Sequence, residues 1–78
     1  MNHDLEDLKR LVRLQLGITE VNDNDRLVED LDAESIDIVN LIVDIEAVFD
    51  VSIDDADLDG VATVGELWEV VERAAITS

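Results

Sequence analysis

Leucine and valine recur at helical spacing from the start of the chain. Leu5, Leu8, Leu11, Val12 and Leu16 share one face, Asn2 or Asp4 can cap the beginning, and Gly17 can end the run in a left-handed turn. This predicts a first helix over about residues 4–16. From Ile18 to Glu34 the period breaks, and the scattered Ile18, Val21, Leu27, Val28 and Leu31 predict a long loop pinned across a core. Ser35 to Asp50 is the strongest helical segment, and VSIDDADLDG after it reads as loop with one short turn of helix. Thr63 and Glu66 then have the spacing of a capping box, and Leu67, Trp68, Val71, Ala74 and Ala75 supply an apolar face for a last helix over about residues 64–76. No segment alternates in the manner of a strand. The expected fold class is all-α: a small four-helix bundle, three main helices plus one short helix, with a long first loop, and residues 1–78 forming a single domain.

The second helix has two apolar stripes rather than one. With Ile36 at zero and an advance of about 100° per residue, Leu41, Ile45, Ile38, Phe49, Ile42 and Val48 fall between roughly 120° and 240°, a width suited to a core. Ile36, Val39, Val43 and Ala47 fall on the opposite side, where Asn40 and Asp44 flank them and Glu46 and Asp50 border or interrupt them. A small bundle rarely wraps one helix on all sides. The second stripe is therefore expected to be exposed, as an apolar strip rimmed by acid that grips partners; the competing arrangement buries it under the 18–34 loop.

Charge narrows the class of partner. The formal net charge is -16, and the stretch from Leu27 to Glu72 carries fifteen carboxylates with no lysine or arginine. Such a surface repels a nucleic-acid backbone and an anionic membrane, and favours basic protein surfaces. No apolar run approaches the ~18 residues of a membrane span, so a cytoplasmic location without membrane insertion is expected. With 47% apolar residues in periodic order, the chain has the means to fold despite its charge. It has no cysteine, so any thiol chemistry must be brought in from outside.

Ser35 stands where the second helix begins, between Glu34 and Asp37. One reading makes it an N-cap, a role usually worth about 1 kcal/mol. The other makes it a point of covalent modification, since a helix N-terminus suits a phosphate ester. Glu34 and Asp37 oppose such a phosphate but would guide a basic enzyme that delivers it.

The run DLDAESID from Asp30 to Asp37, VNLIVDIEAVFDVSI after it and the later TVGEL resemble the acyl carrier protein family over nearly the whole chain. In that family the motif is typically Asp-Ser-Leu, and its serine receives 4'-phosphopantetheine from coenzyme A through a separate phosphopantetheinyl transferase. Ser35 matches that serine, with Glu34 for the aspartate and Ile36 for the leucine, while Asp32 stands where glycine is common and Asp54 where a proline often occurs. The resemblance implies a free-standing, monomeric carrier that is not an enzyme. Its prosthetic thiol would bear acyl groups as thioesters for acyl-transferring, condensing and reducing enzymes of fatty acid, polyketide or related lipid biosynthesis, all with basic docking patches. Glu34, Ile36, Asp37, Val39, Asn40, Val43, Asp44, Glu46 and Asp50 are its expected partner-recognition residues, and the bundle interior could shelter the acyl chain. An aminoacyl or peptidyl carrier is the near alternative; Glu34 tilts the choice toward acyl groups.

A different class competes for the second half of the chain. DADLDGVATVGE, residues 55–66, satisfies the calcium-loop pattern D-x-D-x-D-G-x5-E, with Asp55, Asp57, Asp59, Gly60 and Glu66 in place. Against an EF-hand stand the small Ala62, the absence of a second loop and the rival use of Glu66 as a cap. Weak divalent binding by Asp55, Asp57, Asp59 and Glu66 is the milder expectation, with no dedicated metal site. His3 is expected at a solvated terminus, and Trp68 at the core or its edge. No nucleophile–base arrangement suggests catalysis.

Overall fold

The structure, a computed structural model, describes residues 4–77. Asn2 and His3 lie outside the described residues. The first helix, α1, spans Leu5–Leu16, and Asp4 rather than Asn2 is its cap: the Asp4 carboxylate accepts the Asp7 N–H at 3.2 Å and the Asp7 carboxylate accepts the Asp4 N–H at 3.1 Å. Gly17 ends α1 with φ of 67°, the left-handed conformation that glycine adopts without a Cβ penalty. Helix α2 spans Ser35–Phe49 and α3 spans Val64–Thr77. Between them the short fourth helix is a single 3-10 turn, Asp55–Leu58. Among the described residues there is no strand, only an isolated antiparallel bridge between Arg26 and Thr63.

The core forms where the three helices meet, with Leu8 and Val12 from α1, Leu41 and Ile45 from α2, and Val64, Leu67, Val70 and Val71 from α3. Val21, Leu27, Ala33, Val51 and Ile53 close it from the connecting segments. Phe49 and Trp68 pack edge to face at 5.8 Å on its margin, so Trp68 is a packing residue. Three apolar side chains sit differently from what spacing alone suggests. Val48, at the 120° edge of its stripe, is 38% exposed. Ala75 is exposed because the α3 stripe is centred on Leu67, with Val64 and Val70 completing it. Val28 is exposed because Arg26 and Asp30 clamp the turn around it: the Asp30 carboxylate accepts the Arg26 backbone N–H at 2.8 Å and two guanidinium N–H groups at 3.2 Å. The turn sends Leu27 inward and Val28 outward.

Residues 17–34, between α1 and α2, are stitched to the start of α3 through backbone bonds that no side-chain pattern announces. Asp23 and Asp25 carbonyls accept the Gly65 and Val64 N–H groups at 2.8 and 3.0 Å, and the Leu27 N–H donates to Ala62 at 2.8 Å. Two N–H groups of α3 that the helix leaves free are thereby used. Gly65 eases this approach, since a Cβ there would stand 3.2 Å from the Asp23 carbonyl oxygen and the loop would have to give by a few tenths of an ångström. The Asp23 carboxylate also pairs with Lys9 of α1, whose side chain is 15% exposed.

Two aspartates adopt left-handed backbone, Asp32 with φ of 58° and Asp50 with φ of 55°. Asp50 caps the end of α2, where the helix dipole also disfavours an anion. Asp32 precedes α2 by three residues and is exposed. Glycine relieves the steric cost of this conformation but adds freedom to the unfolded chain, so the two effects partly cancel. Asp32→Gly is expected to stabilise the fold by up to about 1 kcal/mol, a rise of a few degrees in Tm. A lower Tm in a thermal melt would show that the aspartate is held by something other than backbone geometry.

Candidate functional site

Ser35 is the first residue of α2, and the cap position belongs to Glu34, whose backbone is extended (φ -93°, ψ 167°). The N-cap reading of Ser35 is therefore corrected by one residue. The Asp37 carboxylate organises this end, its Oδ2 accepting the Glu34 N–H at 3.0 Å, and the Glu34 backbone carbonyl accepts the Ile38 N–H at 3.1 Å. The Ser35 hydroxyl is exposed and enters none of these bonds. An acceptor-free, solvent-facing hydroxyl at the positive end of a fifteen-residue helix suits a phosphodiester, which carries a single negative charge.

The outer stripe of α2 begins at the next residue. Ile36, Val39 and Val43 are 58%, 57% and 58% exposed, and Ala47 is exposed below them, so the 18–34 segment does not cover this face. The reason is the docking of that segment against α3 and α1. Glu34, Asn40, Asp44 and Asp50 are exposed around the stripe. Asp37 and Glu46 differ from the other rim residues: each is half-buried and bonded within the protein. Asp37 Oδ1 accepts from Gln15 Nε2 at 3.3 Å, and Glu46 Oε2 accepts the Ile53 N–H at 2.9 Å, holding the segment that follows α2. Neither link could be read from spacing, because each joins α2 to a segment outside it.

Behind the inner face of α2 lies an apolar cleft of about 190 Å³. Ile38 and Ile42 form one wall, Leu27 and Val28 another, and Val61 and Leu67 close it. Glu29 is the one charged residue on its lining.

The calcium-loop pattern is met in sequence and not in space. The Glu66 carboxylate turns back on its own helix, Oε1 accepting the N–H groups of Ala62 and Thr63, each at 3.0 Å, and the Thr63 hydroxyl at 3.3 Å, while Thr63 Oγ1 accepts the Glu66 N–H at 3.1 Å. Asp57 is occupied with the Asp54 N–H at 3.3 Å, and Asp55 lies in the 3-10 turn. Among the described residues no group of three carboxylate, histidine or cysteine side chains converges to hold a metal ion. The bonds from the Thr63 and Ala62 N–H groups hold the Glu66 carboxyl below the ordinary glutamate range. Folding lowers this pKa, so the stabilisation is complete above the unfolded value and is lost as acid protonates the folded form. The Tm difference between the protein and Glu66→Gln is expected to be full above about pH 4.5 and to close as the pH falls below it; a gap independent of pH would overturn this account.

Among the described residues no helix is long and apolar enough to cross a membrane. The model of the phosphopantetheine attachment site matches residues 6–71. Acyl carrier proteins of Thermotoga maritima and of a Sulfurovum species are each 38% identical to the chain, over 68 and 70 residues, covering 85% and 87% of it and 84% and 93% of their own lengths. A solved structure of a candidate acyl carrier protein from Mycobacterium tuberculosis superposes with a TM-score of 0.83 at 27% identity, over 88% of this chain and 95% of that one. Members of this family bear 4'-phosphopantetheine and work with a transferase and with biosynthetic enzymes. With that model matching most of its length and these relatives at 38% identity, the chain belongs to the acyl carrier proteins, which are carriers and not catalysts.

Proposed function

We propose that this protein is a single carrier domain in which Ser35 holds the 4'-phosphopantetheine arm. The observation that carries this reading is the exposed, unbonded Ser35 hydroxyl at the head of α2, from which the apolar stripe Ile36, Val39 and Val43 runs. The arm supplies a terminal thiol, on which acyl groups ride as thioesters. In the loading step Ser35 Oγ forms the new phosphoester bond, the pyrophosphate bond of coenzyme A breaks, and adenosine 3',5'-bisphosphate leaves. No bonded side chain stands ready to take the Ser35 proton, so the base belongs to the phosphopantetheinyl transferase.

The stripe is the grip for partner enzymes, and Glu34, Asp44 and Asp50, with Asn40, set its polar rim. Asp37 and Glu46 add their charge from half-buried positions while serving as internal acceptors. Partners are acyl-transferring, condensing and reducing enzymes with basic patches, in fatty acid, polyketide or related lipid synthesis in the cytoplasm. Their contacts are brief and weaken with salt, because the attraction is carried by solvated charges. A net charge of -16 keeps the carrier monomeric by mutual repulsion. The apolar cleft of about 190 Å³ exceeds the about 150 Å³ that suffices for benzene, so it shelters an acyl segment of around six carbons.

Incubation with coenzyme A and a promiscuous transferase is expected to add one phosphopantetheinyl mass to the intact protein. A protein that stays bare beside a transferase active on another carrier would refute the proposal. The intact mass of the protein isolated from its own host then identifies the cargo.

A further inference from the structure

We propose that Gln15 is a positioning residue for the modification of Ser35, acting through Asp37; this rests on Ser35 being the attachment point. The first turn of α2 is secured locally by a capping box of two acids, Glu34 and Asp37. Its cap is a glutamate, its hydroxyl residue gives it no bond, and it carries two acids close together at Glu34 and Asp37. What ties that box to the rest of the fold is a chain of two hydrogen bonds. Gln15 Nε2, on the last turn of α1, reaches Asp37 Oδ1 at 3.3 Å, and Asp37 Oδ2 accepts the N–H of Glu34 at 3.0 Å. Glu34 and Asp37 bracket Ser35, so fixing both fixes where the hydroxyl is presented. Gln15 is half-buried, and its helix is packed into the core by Leu8 and Val12, which makes α1 a firm base for the link.

The choice of an amide has a consequence of its own. A lysine or arginine could donate the same bond but would place a cation beside the acids that draw in a basic enzyme. Glutamine orients the carboxylate and leaves its charge in force.

Gln15→Leu removes the donor while keeping charge and approximate volume. With a promiscuous transferase and coenzyme A, kcat is expected to fall about three- to fivefold, the scale of one lost hydrogen bond, with KM little changed. Amide exchange at Glu34 and Ile38, the bonded amides of this turn, is expected to accelerate by a similar factor while Tm stays within about 2 °C. Gln15→Lys, which restores a donor, recovers kcat and the exchange protection but raises KM through its added charge. Wild-type kcat and exchange in Gln15→Leu, or a loss that Gln15→Lys does not recover, would overturn the proposal. If the unsubstituted protein takes up no phosphopantetheine, it is the assignment of Ser35 that fails, and the exchange measurement alone then decides whether the Gln15 link secures the turn.

Discussion

Ser35→Ala is expected to abolish phosphopantetheine incorporation completely while leaving the fold intact. The loss is total because the substitution removes the atom that forms the phosphoester bond. Neighbouring hydroxyls are poor substitutes: Thr63 is engaged with Glu66 at the start of α3, and Ser52 lies in the segment after α2, away from the head of the exposed stripe. Stability should change by less than about 0.5 kcal/mol, since the side chain is exposed and makes no bond, and alanine is well accepted inside a helix. The size of that change is informative. A serine acting as the N-cap would cost about 1 kcal/mol on removal, whereas the structure gives that position to Glu34. Intact mass after incubation with coenzyme A and a transferase reads the first effect, and a urea titration reads the second. Incorporation that persists in Ser35→Ala would move the attachment point elsewhere.

Two substitutions only two residues apart on α2 are expected to separate stability from docking. Ile45 is 0% exposed at the centre of the core, and truncation to alanine there should cost about 2–4 kcal/mol through lost burial and the cavity left behind. A domain of 78 residues with no disulfide has only a few kcal/mol to lose, roughly 3 to 5. Ile45→Ala should therefore be largely unfolded well below the melting temperature of the parent. Val43, 58% exposed on the opposite stripe, should tolerate alanine within about 0.5 kcal/mol. Its cost appears instead as a higher KM for the transferase, because an apolar contact at the interface is lost. Urea midpoints and transferase kinetics on both variants check the pair. Equal destabilisation by the two substitutions would mean that the stripe is covered in solution.

Helix positions and the two-stripe character of α2 were legible in the chain itself, and for a common reason. A helix start, a helix end and a stripe are decided by residues three or four positions apart, so Asp4, one of two candidate caps, Gly17, and Thr63 with Glu66 announced their elements to within a residue. Ser35 was put forward as the attachment point through the resemblance of DLDAESID and its flanks to a family motif, which composition and spacing could not have supplied. The calcium pattern shows the limit of such reading. Spacing along the chain says which carboxylates could meet, but Glu66 had a nearer use in capping α3, and the short-range bond prevailed.

Everything that joins distant segments waited for the fold. The Gln15–Asp37 link spans 22 positions, Lys9 finds Asp23, loop carbonyls settle on the start of α3, and an apolar cleft opens behind α2. No periodicity encodes these, because each depends on how the helices and the 17–34 segment pack. Local sequence thus chose the helices and their faces, and the resemblance put Ser35 forward as the proposed attachment point. Packing chose which acids remain free for partners, which are drawn into internal bonds, and what holds that serine in place.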